Sequence, residues 1–226
     1  IANPDLRWET TEQVNLGLDF AFFESRVTGT VDVYNKLTKD LLQNVPIPLS
    51  SGFMNVQVNR GEIENRGIEA SINAILLDKN DFTVSVGGNI AFNKTKLKNL
   101  GLPPSSILID GSYQSLPFYQ GNNVSRGNIF KYAPNVFVEG YESSLFYGYE
   151  TDGIYQLGDI LPGGGIARIY DPSDDNPPIY WAGDYKIVDQ NGDGVIDLED
   201  RTIIGNPNPD FVYGINFDFS YKNLSL

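Results

Sequence analysis

Apolar and polar residues alternate with a period of two in several stretches of the chain. Between residues 13 and 22 the apolar side chains fall on even positions, while polar or small residues fall on odd positions. This period places successive side chains on opposite faces of a β-strand. Because the alternation resumes after Glu24-Ser25, residues 13–37 are predicted to form a tight hairpin.

The same alternation predicts five strands, which we expect to be consecutive antiparallel neighbours. Their predicted ranges are 13–22, 26–37, 66–75, 82–94 and 211–221. The apolar face presents even-numbered residues in the first, third and fourth of these strands, and odd-numbered residues in the last. Leu16, Phe20, Ile72 and Val84 are representative of the even set.

The connections alternate between short and long, with tight turns near residues 24, 79 and 223 and long segments at 39–60 and 96–210. Outer-membrane barrels have short periplasmic turns and long extracellular loops. The pattern therefore predicts an all-β chain that supplies antiparallel strands of a transmembrane β-barrel, a partial barrel here. Residues 1–95 form barrel hairpins. Residues 96–210 form a long extracellular excursion with short strands near 145–149 and 154–155, and residues 211–226 form a barrel strand and the start of the next.

Two features favour a membrane barrel over a soluble β-sandwich or lipocalin-like barrel, which the alternation alone leaves open. Aromatic residues stand at strand ends beside the turns, as in an interfacial girdle. Acidic residues occupy the opposite face, as in a water-filled lumen. The aromatic set is Phe20, Phe22, Phe23, Phe82, Phe219 and Tyr221, and the acidic set is Asp19, Asp32, Glu69 and Asp218.

Composition removes most other classes of function. The net charge of −13 argues against a nucleic-acid partner, and the chain contains neither cysteine nor histidine. No apolar run is long enough for a transmembrane helix. Nucleophile-elbow and phosphate-loop motifs are absent, and we interpret the carboxylate pairs Glu62 with Glu64 and Asp174 with Asp175 as solvated charge. The sequence therefore predicts no enzymatic activity.

Residues 189–200 have the ligand spacing of a calcium-binding loop. Oxygen ligands stand at positions one, three, five, seven, nine and twelve, with Gly194 at the sharp turn. The final aspartate is shorter than the usual glutamate, and a metal-free Asx-rich turn is the alternative. A bound calcium would be structural and would pin the end of the long excursion. The predicted ligands are Asp189, Asn191, Asp193, the Val195 carbonyl, Asp197 and Asp200.

Aromatic residues in the long excursion are candidates for stacking on sugar rings or for burying a partner's surface, although ordinary packing explains them equally well. This candidate set is Tyr113, Phe118, Tyr119, Phe146, Tyr147 and Tyr149. Glycine and proline clusters at 162–165 and 171–178 are predicted to be exposed loops.

Several motifs resemble the C-terminal half of the barrel in SusC/RagA-like, TonB-dependent transporters. These motifs are Asn3–Thr11 with Asn15–Asp19 and Asp32–Lys36, Asn59–Glu69, Phe146–Tyr149 with Asp152–Tyr155, and Asp189–Asp197 with Gly205–Pro209. The resemblance implies an outer-membrane barrel of about twenty-two strands with an internal plug. It further implies a SusD-like lipoprotein lid, energy from the TonB complex, and import of oligosaccharides or peptides in Bacteroidetes-type bacteria.

On this resemblance we expect the sequence to be a fragment that lacks the N-terminal plug and the segment that contacts TonB. The alternative function is a secreted or surface-exposed β-rich binding module stabilised by calcium. Dependence on detergent distinguishes the two.

Overall fold

The computed structural model describes residues 3–124, 132–156, 169–170, 183–222 and 224–225. Its regular structure is β-strand apart from single 3-10 turns at Leu49–Ser51 and Leu198–Asp200. In this part of the chain no helix has the length and apolar character needed to cross a membrane. The described strands are β1 (Thr10–Phe22), β2 (Val27–Lys39), β3 (Leu42–Pro46), β4 (Asn55–Asn59), β5 (Glu62–Lys79), β6 (Phe82–Asn99), β7 (Ser105–Ile109), β8 (Ser112–Leu116), β9 (Phe118–Gln120), β10 (Asn135–Val138), β11 (Leu145–Tyr149), β12 (Thr151–Ile154), β13 (Ile169–Tyr170), β14 (Tyr185–Ile187), β15 (Ile196–Asp197), β16 (Arg201–Gly205), β17 (Val212–Tyr221) and β18 (Leu224–Ser225).

The largest sheet contains six strands in the order β1-β2-β5-β6-β17-β18, and every neighbouring pair is antiparallel. This confirms the predicted succession of barrel strands. Strands β5 and β6 each have 18 residues and are longer than predicted. The prediction stopped too early because the apolar alternation ends before the backbone pairing does, and the outer residues of both strands are mostly polar.

The register aligns the apolar positions of all these strands on one face. One row of cross-strand neighbours is Leu16, Val33, Ile68 and Phe92. Nearer the tight turns, Val86 pairs with Phe217 and Val84 pairs with Phe219. Since directly paired residues point to the same side, the predicted even and odd assignments are confirmed. Asp19, Asp32, Glu69 and Asp218 occupy the opposite face.

A β-bulge lets β5 keep its apolar face towards the end of the strand. Ile75 pairs with Ser85, whereas Leu77 pairs with Val84, so one extra residue is inserted between the two pairs. The insertion reverses the parity, and Leu77 joins the apolar face beside Val84.

The predicted long segment 39–60 is an ordered hairpin, formed by β3 and β4. Asn59 fixes its base to the N-terminal segment, because its amide donates to the carbonyl of Arg7 at 2.8 Å and its oxygen accepts from the Arg7 N–H at 2.7 Å. The same amide also donates to the carbonyl of Asp40 at 2.8 Å. Two segments singled out for their motifs, 3–11 and 59–69, are thereby joined through a side chain.

The chain divides into two compact units, one of residues 1–99 with 208–226 and one of residues 100–207. The second unit contains a four-stranded sheet in the order β16-β11-β10-β9 and the hairpin β7-β8. That hairpin turns at Asp110-Gly111, where both residues have positive φ, as a type I′ turn requires. The expected strand at 145–149 is confirmed as β11, and β12 ends at Ile154. The predicted loops at 162–165 and 171–178 lie outside the described residues.

The two units differ in where their apolar residues lie. The second unit has a core formed by Ile107, Ile109, Val136, Val138, Leu145 and Tyr147. Among the described hydrophobic residues of the first unit, only Leu97 is buried. The six-stranded sheet therefore has apolar side chains without an apolar core of its own.

Candidate functional site

The apolar face of the six-stranded sheet is exposed. Leu16 is 74% exposed, Phe217 is 73% exposed and Ile215 is 66% exposed. A soluble sandwich would cover such a face with a second layer, and contiguous exposed apolar surface of this kind indicates a membrane or a partner. Lipid is the environment that suits a face whose apolar side chains continue across five neighbouring strands.

Aromatic rings border this apolar face at both ends of β17. At the end beside the tight turns, the ring centroid of Phe82 lies 5.1 Å from that of Phe219 and 6.5 Å from that of Tyr221. At the opposite end, Phe211 lies 5.9 Å from Phe92 and 6.0 Å from Tyr213.

Phe219 lies eight positions after Phe211 along the chain, which corresponds to about 27 Å at about 3.4 Å per residue. On a strand tilted by about 40°, that length spans about 21 Å along the membrane normal, which is close to the apolar band of an outer-membrane barrel, about 25 Å tall, with an aromatic girdle at each interface. The girdle at the turn end was predicted. The second girdle was missed, although Phe92, Phe211 and Tyr213 stand at strand ends in the sequence.

The opposite face of the sheet is polar and closely fitted. Thr30 and Ser71 share a hydrogen bond of 2.8 Å between their hydroxyl groups. Gly17 stands beside Asp32, and a Cβ atom at Gly17 would lie 2.5 Å from the carboxylate oxygen of Asp32. The absence of a side chain at Gly17 therefore makes room for a charged group on this face, as in a water-filled lumen.

The first half of the 189–200 loop is folded around its own acidic and amide side chains. Asp189 accepts from the N–H groups of Gly192 at 2.7 Å and of Gly194 at 2.8 Å. Asn191 accepts from the Asp193 N–H at 3.0 Å, and Asp193 accepts from the Val195 N–H at 2.7 Å. These bonds direct the three predicted ligand side chains towards the inside of one turn.

The second half of this loop uses its carboxylates as caps. Asp200 is fully buried and accepts from the N–H groups of Gln190 and Asp197, both at 2.8 Å. Asp197 accepts from the Glu199 N–H at 2.7 Å, which completes a capping box around the 3-10 turn. Within the described ranges, no three acidic residues are grouped closely enough to hold a metal ion.

Three of the six predicted aromatic contact residues present exposed rings. Tyr113 is 54% exposed, and its hydroxyl donates to Glu199 at 3.1 Å. Tyr119 stacks on Phe137 with ring centroids 4.6 Å apart, and Phe146 is 47% exposed. These rings have free surface for a ligand or a partner.

The other three aromatic residues pack inside the second unit. Tyr147 is 8% exposed and belongs to the core, and Phe118 packs against that core. Burial raises the pKa of the Tyr147 hydroxyl and that of the Tyr149 hydroxyl, so both remain protonated at neutral pH. Their surroundings leave little surface for an external ligand.

Sequence reasoning missed Arg201, which is buried and holds two separate segments together. Its guanidinium donates to the carbonyls of Ala133 and Tyr147. It also lies 4.6 Å from the ring centroid of Tyr147 and 5.5 Å from that of Tyr132. Burial lowers the pKa of Arg201, but a guanidinium remains charged at neutral pH. No local pattern in the sequence marks this residue, because its partners lie more than fifty positions away.

Comparisons with known proteins agree with this geometry. Residues 1–223 match the family described as "TonB dependent receptor-like, beta-barrel". TonB-dependent receptor P3 of Formosa agariphila is 36% identical over 225 residues, which cover all of this chain and 20% of that protein. TonB-dependent receptor SusC of Bacteroides thetaiotaomicron is 34% identical over 227 residues, which cover 99% of this chain and 19% of that protein.

The fold also matches a solved structure of the RagAB peptide transporter with a TM-score of 0.61 and 24% identity, over all of this chain and 21% of that one. The chain thus spans about a fifth of the length of the relatives it matches. The resemblance inferred from the motifs is confirmed, and a secreted binding module is set aside. This family consists of receptors, not enzymes, and its barrels lie in the bacterial outer membrane. The chain belongs to the TonB-dependent receptor family, of which it forms part of the β-barrel.

Proposed function

We propose that this chain forms part of the barrel wall of a TonB-dependent importer that takes up oligosaccharides or peptides through the outer membrane. The exposed apolar face between two aromatic girdles carries the proposal, since it gives the sheet a lipid-facing side and a polar, lumen-facing side. The similarity to SusC and to the fold of a peptide transporter supports import over signalling alone. A SusD-like lipoprotein and the TonB complex are the proposed partners of the whole transporter.

Gene deletion tests this function directly. Loss of the full-length gene should abolish growth on one member of a panel of oligosaccharides and peptides supplied as the sole carbon source, and the restored gene should recover it. Deletion of tonB should have the same effect on that substrate. Unchanged growth on every member of the panel would count against import.

The second unit is proposed to lie on the extracellular side and to contact the incoming substrate or the lipoprotein lid. The chain connectivity supports this orientation, because the second unit is inserted between the end of β6 and the start of β17, whereas their other ends carry the tight turns, and short turns are periplasmic in outer-membrane barrels. Tyr113, Tyr119 and Phe146 are the proposed contact residues, since their rings retain exposed surface.

Replacing Tyr113, Tyr119 and Phe146 together with alanine should weaken binding of substrate or lid. Each aromatic contact contributes about 0.5–1.5 kcal/mol, so the triple variant is expected to lose about tenfold or more in affinity. Uptake by the full-length transporter and co-purification of the lipoprotein are the two measurements. Tyr185→Ala is the matched control because Tyr185 is also exposed in the second unit, at 71%. If uptake and lid binding both persist in the triple variant, these residues do not form the contact surface.

A structural calcium in the 189–200 loop is a further part of the proposal. The side-chain oxygens of Asp189, Asn191 and Asp193 accept hydrogen bonds from backbone N–H groups of the same turn, and each of these oxygens retains a second lone pair for a cation. Asp197 and Asp200 would complete the set together with the Val195 carbonyl. On calcium binding, their present hydrogen bonds to backbone N–H groups would be replaced by bonds to the cation. This half of the loop would therefore have to change conformation.

Metal analysis of the full-length transporter tests the calcium proposal. One calcium per chain should bind, and Asp189→Asn with Asp193→Asn should reduce the affinity by more than about tenfold, because charged oxygen ligands set calcium affinity. Magnesium should bind more weakly, since it requires a tighter octahedron. Asp110→Asn is the control, because asparagine is equally suited to its left-handed turn. Equal calcium content in the parent and the double variant would contradict the calcium proposal and favour a metal-free turn.

A further inference from the structure

Four basic residues form a band on the lipid-facing side of the sheet, just beyond the girdle at the end opposite the tight turns. We call Arg66, Lys94, Lys96 and Lys98 the basic band. Arg66 pairs with Lys94 one row beyond the apolar pair Ile68 and Phe92, and Lys96 pairs with Glu64 in the row after that. Successive rows on one face are about 7 Å apart along the strand. The band therefore begins where the apolar surface stops.

The charges of the basic band are not balanced within the sheet. Glu64 is the nearest acid, and its carboxylate lies 3.5 Å from the Arg66 guanidinium and 3.8 Å from the Lys98 ammonium group. Two cations thus share one anion. Lys94 and Lys96 make no ion pair with any described residue, although the whole chain carries a net charge of −13. The basic band therefore carries a local excess of positive charge that an anion from outside the chain can neutralise.

The opposite end of the sheet has no such excess. Near the tight turns, Arg26, Lys79 and Lys222 are matched in number by Glu24, Asp78 and Asp81. Lys222 lies 5.4 Å from the ring centroid of Tyr221, in a cation–π contact. The basic band thus has no counterpart at the turn end, and the anion is expected at the band.

We propose that the basic band binds phosphate groups of outer-leaflet lipid. The outward-facing position above the girdle is where lipid headgroups meet a barrel, and the sheet's other face points away from lipid. Lysine and arginine bind phosphate through charge-assisted hydrogen bonds. The exposed side chains, 59% for Arg66 and 44% for Lys98, can extend from the strand into the headgroup layer.

Several phosphates fit this arrangement better than one. The four side chains are distributed over three rows along β6, so they span about 14 Å on one face. Arg66 and Lys98 keep Glu64 between them, which positions both groups. Lys94 lies opposite Arg66 and Lys96 lies opposite Glu64, and neither lysine forms an ion pair with a described acid, so their neutralisation should have the largest effect on binding.

Lipid retention by the full-length transporter tests the proposal. The transporter is purified in mild detergent, and phosphate-bearing lipids that remain bound are counted by native mass spectrometry. Purified lipid A in phosphatidylcholine nanodiscs is the probe, with phosphatidylcholine alone and inorganic phosphate as separate arms. Each basic residue near a membrane surface contributes about fivefold in affinity. The double variant Lys94→Gln/Lys96→Gln should therefore retain lipid A at least about tenfold less well than the parent.

Matched variants identify the cause of any loss of lipid retention. Lys79→Gln/Lys222→Gln changes the same number of charges at the turn end and should retain lipid A like the parent, while Lys94→Arg/Lys96→Arg should restore retention. If the Gln variant folds poorly, retention by the parent should still fall as sodium chloride rises from 0.1 to 0.5 M, because salt screens exposed charges. Equal retention in both double variants, salt-independent retention, or displacement by inorganic phosphate at equal concentration would overturn the proposal.

Discussion

Replacement of Ile215 by arginine is expected to destabilise the folded barrel by about 2–4 kcal/mol. Ile215 pairs with Gly88 midway between the two girdles, and its side chain is 66% exposed on the apolar face. A guanidinium at that depth would lie in hydrocarbon, where no hydrogen bond or opposite charge compensates for the free energy of removing it from water. Urea unfolding of the full-length transporter in lipid bilayers measures the change in the free energy of unfolding.

Asn216→Arg is the control for this variant. Asn216 is the next residue of β17 and faces the polar side, where its amide donates to Asp218 at 2.9 Å. An arginine there would face water and an acidic neighbour, so we expect a change of less than about 1 kcal/mol. Equal destabilisation by the two substitutions would mean that the faces are not in different environments.

Arg201→Met is expected to destabilise the second unit by about 3 kcal/mol. The substitution leaves two carbonyls, those of Ala133 and Tyr147, without their donor in a buried setting, and each loss costs about 1–3 kcal/mol. It also removes the cation from its place beside the Tyr147 ring. Amide hydrogen exchange in the full-length transporter should show reduced protection in β10 and β11.

Arg201→Lys separates the charge from the geometry. An ammonium group keeps the charge and can donate to two carbonyls, but it lacks the planar guanidinium that lies over the Tyr147 ring. Protection of β10 and β11 should therefore lie between that of the parent and that of the methionine variant. Protection unchanged in both variants would show that Arg201 does not hold the two segments together.

The membrane sheet could be predicted from sequence because every strand in it repeats one constraint. Every second residue faces an apolar medium along most of each strand. The alternation of apolar and polar residues is therefore visible in β1, β5 and β17 without an alignment. The prediction failed where the constraint ends. The first residues of β5 and the last residues of β6 are paired but lie beyond the apolar band, so no alternation marks them.

The second unit was harder to predict because its core is assembled from short, distant strands. Val136 and Ile109 pack together although they are far apart in the chain, and strands of three to five residues are too short to show a period. The Asp110-Gly111 turn was a usable hairpin signal, since apolar residues precede it and β8 follows it. The burial of Tyr147 could not be predicted, because its ring is covered by residues from other strands.

Some features of the candidate sites could likewise be predicted from the sequence, and others could not. The spacing of the 189–200 loop predicts Asp189, Asn191 and Asp193 as calcium ligands, which stays a prediction, and in the structure all three side chains accept hydrogen bonds from backbone N–H groups of the same turn. Spacing could not predict that Asp200 would be buried in a capping box, since this depends on the 3-10 turn that ends at Asp200. The basic band likewise emerges only from the register, which places Arg66 beside Lys94 across two strands.

Solvent and lipid accessibility along β17 tests the central claim most directly. The chain contains no cysteine, so single cysteines can be introduced at each position from 211 to 221 of a transporter without other reactive thiols and spin-labelled in bilayers. Collisions with oxygen, which concentrates in lipid, should be high at odd positions, and collisions with a water-soluble nickel chelate should be high at even positions. The oxygen values should peak near Ile215 and fall towards both girdles. Accessibility without a period of two, or a nickel maximum at the odd positions, would contradict a lipid-facing sheet.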